Sequence, residues 1–310
     1  MRLISGISVT SSDRTAQDVP VSADGAGQHA PLLPADADLG RKEGVLRGLI
    51  SDHRRVVVAY SGGVDSSYLA HVAHDVLAEG ALAVTAVSAS LALRERRAAA
   101  DLARRRGWNH AIVHTAEMER AQYARNGSDR CYWCKSELFE VLAPIAQELG
   151  AEIAIATNVD DLGDHRPGLL AARERAVREP LVEAGLAKAE IRALSSAADL
   201  PTADKPSSPC LASRVAYGVR VTPERLRRVD RAEEVLRGHG FRVLRVRDHG
   251  DLARIEVPPG EIARVVELRA EIDASLRELG FRYVAVDLLG FRSGAMNEVL
   301  IEPTFGKPPE

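Results

Sequence analysis

The sequence predicts a doubly wound α/β domain with a parallel sheet, followed by a smaller α+β domain. Three observations carry that expectation. Apolar strand-like runs recur at 56–60, 82–87, 111–114 and 153–156, and helical patterns separate them at 67–79, 94–106 and 135–149. Such βαβα alternation builds a parallel sheet covered by helices on both faces. The first run leads directly into Ser61-Gly62-Gly63-Val64-Asp65-Ser66 and then into a helix, an order that places a ligand loop at the carboxyl end of a sheet. Beyond 201–213, which holds three prolines, the order becomes helix, strand, strand, helix, strand.

Each element has its own reason. Residues 11–40 are rich in Ser, Ala, Asp, Gly and Pro without periodicity, so 1–40 is expected as a disordered extension. Val56 to Ala59 make a short apolar run, as a buried parallel strand does. Leu69, Val72, Val76 and Leu77 give the next segment a helical period. Two further strand ends, Val87-Ser88-Ala89-Ser90 and Thr157-Asn158-Val159-Asp160-Asp161, should face the crevice shared with the loop at 61–66. Pro201, Pro206 and Pro209 make 201–213 a connecting segment. Thr222-Pro223-Glu224 is a helix start, with Thr as cap, Pro in the first helical position and Glu in the first turn. That helix should run to about Gly238, with strands at 241–246 and 252–257, a helix at 260–279 and a strand at 281–288. The expected domains are 41–205 and 206–310.

Composition excludes several classes. The chain has 310 residues, 45% hydrophobic and 27% charged, with net charge −3. This is an ordinary globular balance and not that of a general polyanion binder. Arginines are dense from Arg214 to Arg254, which allows a basic pocket within an acidic chain, although most read as solvated helix faces. No apolar run reaches the ~20 residues of a membrane span, and Met1 to Thr10 is too mixed for a signal peptide. A cytoplasmic protein is expected. Three cysteines, an odd number, argue against a disulfide framework.

Two glycines and a helix N-terminus make an anion site: the backbone can approach a ligand, and the free N–H groups of the first turn favour negative charge. No GK[ST] follows, so this is not a Walker loop, and G-x-G-x-x-G is absent. SGGxDS resembles the pyrophosphate loop of ATP pyrophosphatases, which cut ATP to AMP and pyrophosphate. Cys131-Tyr132-Trp133-Cys134 is a CxxC, and Cys210 stands far away. Every cysteine is expected in one of two loops. The three could hold a [4Fe-4S] cluster with one open iron, or zinc with a fourth ligand; Cys131 and Cys134 could instead form a redox pair, or all three could be unrelated thiols. Asp160, Asp161 and Asp164 could bind Mg²⁺ or simply shape a turn. His165 reads as a solvated loop histidine.

SGGVDSSYLA, DRCYWCK, ATNVDDLGDHRPGLLAA, REPLVEAGLAKAEIRALS, DKPSSPCLASRVAYG, RVRDHGDLARIEV and FRYVAVDLLGFRSG together resemble the LarE family, in order and across 41–303. These are ATP-dependent sulfur transferases that build the nickel-pincer nucleotide of lactate racemase. The resemblance implies adenylylation of the carboxylates of a pyridinium 3,5-biscarboxylate mononucleotide, then displacement of AMP by sulfur. It places the phosphates on Ser61, Gly62, Gly63, Asp65 and Ser66, Mg²⁺ near Asp65, and the nucleotide near Ser88 and Asp161. It implies Cys210 as the sulfur-handling residue, sacrificed in one branch. In the other branch it joins Cys131 and Cys134 on a [4Fe-4S] cluster that carries sulfide, and three cysteines resemble that branch. Ser213, Arg214, Arg245 and Arg247 match positions near the substrate phosphate and carboxylates, where a planar fork pairs with two oxygens. Arg245 and Arg247 should share one face of a strand. Glu233 matches an acidic position, against the plain reading of a surface helix carboxylate. The family also implies a homo-oligomer, while the sulfide donor is left unknown. A tRNA thiolation enzyme competes, though net charge −3 and the lack of further cysteine pairs weigh against nucleic acid as partner. An ATP-binding iron–sulfur sensor without turnover is the alternative of a different class.

Overall fold

The computed structural model describes residues 8–10, 34–163, 167–292 and 295–296. Two sheets organise it. The first contains β1 (Ser8–Thr10), β2 (Val56–Ala59), β3 (Ala81–Val87), β4 (His110–His114) and β5 (Glu152–Ala154), in the order β1-β4-β3-β2-β5. The second contains β6 (Arg245–Asp248), β7 (Leu252–Glu256) and β8 (Tyr283–Val286), in that order. The helices are α1 (Pro34–Ser51), α2 (Val64–Leu77), α3 (Leu93–Arg106), α4 (Ala121–Ala124), α5 (Arg130–Leu149), α6 (Pro167–Arg173), α7 (Pro180–Glu183), α8 (Lys188–Ala197), α9 (Pro223–Gly238), α10 (Ile262–Glu267) and α11 (Arg269–Glu278).

β2, β3, β4 and β5 are mutually parallel, and β1 adds an antiparallel edge on β4. The period-two alternation of a strand sets the layers. Val56 and Val58 pack with Leu46 and Ile50 of α1, Leu69 and Val72 of α2 and Leu102 of α3. Val57, between them, packs with Leu142 and Ile145 of α5 on the opposite face. The α/β expectation thus holds, with helices on both faces. From β2 the chain proceeds to β3 and β4 on one side and later places β5 on the other. Strand order reverses at β2, so its carboxyl end is the switch point where open α/β sheets bind ligands. Among the described residues no helix is long and apolar enough to cross a membrane.

In the second sheet β6 and β7 are antiparallel and β8 is parallel to β7. Leu236 of α9, Val265 of α10, and Ile272 and Leu276 of α11 cover Val246, Ala253 and Ile255. A separate apolar cluster joins the two parts: Tyr123, Leu211, Ala212, Val215, Val221, Leu226 and Val229, with Trp133, Cys134 and Cys210 packed against it.

Several boundaries differ from the sequence expectation. Within the expected extension, Ser8–Thr10 pairs with β4 and α1 starts at Pro34; the rest of 1–33 lies outside the described residues. The predicted strand at 241–246 is displaced to β6. Phe241 closes α9 instead, its N–H donating to Leu236 O at 3.3 Å after Gly240 at φ +87°, and its ring and Leu244 fill the core as turn residues. The helix predicted at 260–279 is two, α10 and α11. The largest consequence is at α5, which begins at Arg130. The CxxC therefore lies in the first turns of a helix and not in a loop. Apolar periodicity missed that start because the inward-facing residue of the first turn is Arg130.

Candidate active site

The segment Ser61–Ser66 wraps around one hydroxyl. Ser66 Oγ accepts from the Ser61 N–H at 3.2 Å, lies 3.0 Å from Ser61 Oγ and donates to Gly63 O at 3.3 Å. Gly62 has φ +74°, and an added Cβ would lie 2.7 Å from Ala99 Cβ on α3. Gly63 needs no such freedom, having φ −80°. It precedes α2 with no side-chain cap on the first turn, so N–H groups at the positive end of the helix are left for a ligand. Gly62→Ala is expected to cost about 1–3 kcal/mol, because a non-glycine residue is forced into left-handed backbone against a helix. Thermal unfolding of that variant checks it, with Gly63→Ala expected to be milder.

Two lysines from distant segments reach this loop. Lys188 Nζ pairs with Asp65 Oδ2, while Asp65 Oδ1 is buried and has no hydrogen-bond partner among the described residues. Lys205 Nζ donates to Gly62 O at 2.7 Å and pairs with Glu95 Oε2 at 2.6 Å. Asp160 Oδ2 accepts from the Lys188 N–H at 2.7 Å, and Asp161 Oδ2 accepts from the Asn158 N–H at 3.2 Å. Both carboxylates therefore shape the turn after β5. Asp164 and His165 lie outside the described residues. Ser88 Oγ donates to Glu117 Oε1, as does Ser90 Oγ at 3.0 Å.

The segment read from sequence as a connector that carries Cys210 and Ser213 is tied to elements on every side of the site. Lys205 holds the loop at 61–66 through Gly62 O. Arg245 Nη2 donates to Ser207 O at 2.7 Å. Arg214 Nη1 donates to Pro209 O and, at 3.1 Å, to Cys210 O. The Leu211 N–H donates to Ser90 O at 2.8 Å, beyond the end of β3. Ala212 O accepts from Arg130 at 2.9 Å and Ser213 O from Arg247 at 3.1 Å. Cys210 is thus placed by elements from both parts of the chain.

The three thiols are neighbours. Cys131 and Cys134, three apart on a helix, lie on one face. Cys131 keeps an exposed edge and the other two are partly buried. Burial first, then Cys210, pushes up the Cys131 and Cys134 thiols. Glu117 adds to the effect at Cys134, and Arg130 opposes it at Cys131. Among the described residues no group of three His, Cys, Asp or Glu side chains is spaced to hold a single metal ion.

The arginines converge as the sequence suggests. Arg245 and Arg247 share a face of β6, and Arg214 is buried beside them. Glu233 is not a surface carboxylate: it is 1% exposed and accepts from Arg214 Nε at 3.0 Å and Arg237 Nη2 at 2.9 Å. Burial alone would raise its pKa, but the two arginines bring it below the usual carboxylate range. Its contribution is therefore present above the ordinary glutamate pKa and is lost as pH falls through the lowered folded value. Arg247 pairs with Glu256 at 2.7 Å. Among the described residues no carboxylate is in direct ion-pair contact with Arg245, although Glu233 lies near enough to act on it. Arg245 donates to Leu244 O and Ser207 O and stacks 5.1 Å from the Phe291 ring. Burial, then Arg214, lowers its pKa to about 10, with Glu233 opposing. Glu233→Ala should cost about 3–5 kcal/mol by stranding buried Arg214, read as a lower denaturant midpoint.

No family model matches the chain. Relatives do. Over 266 residues it is 36% identical to the pyridinium-3,5-bisthiocarboxylic acid mononucleotide synthase of Lactiplantibacillus plantarum, a match spanning 85% of this chain and 96% of that protein. The chain belongs to the LarE family. An uncharacterized Synechocystis protein is 46% identical over 258 residues, 82% of this chain and 96% of its own length. An uncharacterized Methanocaldococcus jannaschii protein is 26% identical over 242 residues, 78% and 92% respectively.

The motifs that resembled the LarE family contain residues to which sequence reading gave no role. Lys188 lies in GLAKAE, Lys205 in DKPSSPC and Arg130 in DRCYWCK. A cation within a motif of catalytic residues was the available signal. Glu95, Glu117 and Asn126 carried none, because their partners are tertiary.

Proposed function

We propose that this protein is an ATP-dependent sulfur transferase built on a pyrophosphate-loop domain. It adenylylates the carboxylates of pyridinium-3,5-biscarboxylic acid mononucleotide and converts them to thiocarboxylates for the nickel-pincer cofactor of lactate racemase. The observation that carries this reading is the Cys210 segment, tied at once to the phosphate loop, the CxxC helix and the arginine-bearing strand. Activation, sulfur and an anionic acceptor are the three things such a reaction must bring together. Membership of the family that holds the L. plantarum synthase supports it.

The residues divide the work. Residues 41–205 supply activation. The uncapped turn of α2 and the Ser61–Ser66 backbone hold the ATP phosphates, and Lys188 and Lys205 offset charge as pyrophosphate departs. Mg²⁺ fits at Asp65, whose Oδ1 is a buried oxygen without a partner. Ser88 and Asp161 lie at strand ends beside the loop and border the nucleotide. Residues 206–310 supply the acceptor site: Arg245, with Ser213, Arg214 and Arg247, holds the mononucleotide anions while Glu233 fixes Arg214. A substrate carboxylate oxygen attacks the α-phosphorus and expels pyrophosphate. Sulfur then attacks the acyl carbon and AMP leaves.

A [4Fe-4S] cluster fits Cys131, Cys134 and Cys210. The donors are three soft thiols, and burial together with Cys210 pushes up the Cys131 and Cys134 thiols, so a cationic centre would favour their thiolates. When bound, the cluster supplies an open iron for an extra sulfide. The test is ATP turnover with and without the mononucleotide. AMP and pyrophosphate should form only with it, and cleavage of ATP to ADP and phosphate would overturn the reading.

A further inference from the structure

One buried hydroxyl beside the thiols lacks a hydrogen-bond partner among the described residues: the phenol of Tyr123, a fully buried residue of α4. A hydroxyl removed from water is costly unless it is hydrogen-bonded. Other buried phenols differ. Tyr60 donates to Ala99 O at 3.1 Å, and Tyr68 stands beside Glu43 and Arg47. Tyr123 stands beside sulfur. It belongs to the apolar group of Leu211 and Val221 against which Cys134 and Cys210 pack. Burial first, then Cys210, Cys134 and Glu117, push its pKa up, with Arg130 opposing, so the phenol keeps its proton and remains a donor.

The backbone around the phenol is held firmly. Tyr123 O accepts from the Asn126 N–H at 3.1 Å, and Ala124 O accepts from the Val221 N–H at 2.9 Å. Asn126 is fully buried at φ +60°, and its Nδ2 donates to Val215 O at 3.2 Å, Ala216 O at 2.8 Å and Val219 O at 3.0 Å. Its Oδ1 receives Arg130, the first residue of the CxxC helix. α4 is thus fastened both to the start of α5 and to the chain just beyond Cys210. Tyr123 is placed by the two cysteine-bearing segments together.

We propose that Tyr123 is a positioning residue for the iron–sulfur group, its phenol donating a hydrogen bond to a sulfur held at Cys134 and Cys210. This rests on the cluster reading above. Hydrogen bonds from outside the ligand set orient a metal group and help retain it. Those to the sulfurs of an iron–sulfur cluster help set its reduction potential. A donor favours the more negative of two states, so this bond should raise the potential and slow the loss of iron. Neither effect needs the phenol to give up its proton.

The test compares wild type and Tyr123→Phe as full chains, both iron-free and anaerobically reconstituted with iron and sulfide. The variant deletes one oxygen and keeps the ring. Loaded Tyr123→Phe should be harder to reduce, on the order of tenfold in the ratio of reduced to oxidised cluster, which is about 59 mV for one electron. Iron should leave it for a chelator on the order of tenfold faster. In reduced wild type moved into heavy water, magnetic resonance should show an exchangeable proton coupled to the cluster, and the variant should lack it. The iron-free variant should melt no lower than iron-free wild type, because the deleted hydroxyl has no partner there. A variant that melts like wild type yet retains no iron is the same loss carried to its limit. A merely structural phenol predicts the reverse, a lower iron-free midpoint with an unchanged potential. That result, or a wild-type cluster without the exchangeable proton, overturns the proposal. Wild type that takes up no iron overturns the cluster reading itself, before any variant is compared.

Discussion

Asp65→Ala is expected to lower pyrophosphate release at least about a hundredfold, the scale of losing one preorganised electrostatic group at a charged transition state. The reason is the unequal use of the carboxylate: Oδ2 is held by Lys188, while Oδ1 is buried with no partner. That oxygen, in the first turn of α2, is where the proposed Mg²⁺ would bind. Stability should change by no more than about 1 kcal/mol, because the ion pair it gives up is only partly shielded from solvent. Ser61→Ala should lower the same step, since it removes the hydroxyl that organises Ser66. A pyrophosphate assay beside thermal unfolding checks both. Wild-type release by Asp65→Ala would remove the loop from ATP activation.

Cys210→Ala is expected to end thiocarboxylate formation while AMP and pyrophosphate still form within about threefold of wild type. The separation follows from how the segment is held. Lys205 reaches the loop with its side chain. Most other ties use Ser207 O, Pro209 O, Cys210 O, the Leu211 N–H, Ala212 O and Ser213 O of the main chain, with the Ser208 and Ser213 hydroxyls adding side-chain contacts. None depends on the Cys210 thiol. Removing the sulfur leaves the phosphate loop and the arginines where they were. Separate quantification of nucleotide products and thiocarboxylate checks it. Full thiocarboxylate yield from Cys210→Ala would take Cys210 out of the chemistry.

How much of this the sequence disclosed depends on the range of each interaction. The strand–loop–helix order at 61–66 was legible because it is local: strand, two glycines and helix follow one another. Arg245 and Arg247 were legible for the same reason, alternating along β6. The helical setting of Cys131 and Cys134 was hidden, since the period of α5 begins with buried Arg130 where an apolar residue would be expected. Glu233 looked equally like a surface residue, and only packing against Arg214 and Arg237 shows otherwise. The segment at 205–213 was read as a connector because three prolines and few apolar residues describe a loop equally well whether it is idle or pinned. What pins it comes from Ser90, Arg130, Arg245 and Arg247, scattered over the chain.

Anaerobic incubation of the protein with ATP, hydrosulfide and pyridinium-3,5-biscarboxylic acid mononucleotide, followed by mass measurement of the nucleotide and of the intact protein, tests sulfur transfer most directly. Sulfur transfer predicts a mononucleotide in which carboxylate oxygen is replaced by sulfur, in step with AMP and pyrophosphate. Cluster-borne sulfide adds that product exceeds protein and that Cys210 keeps its mass. A mononucleotide of unchanged mass, with ATP converted to AMP all the same, would contradict it.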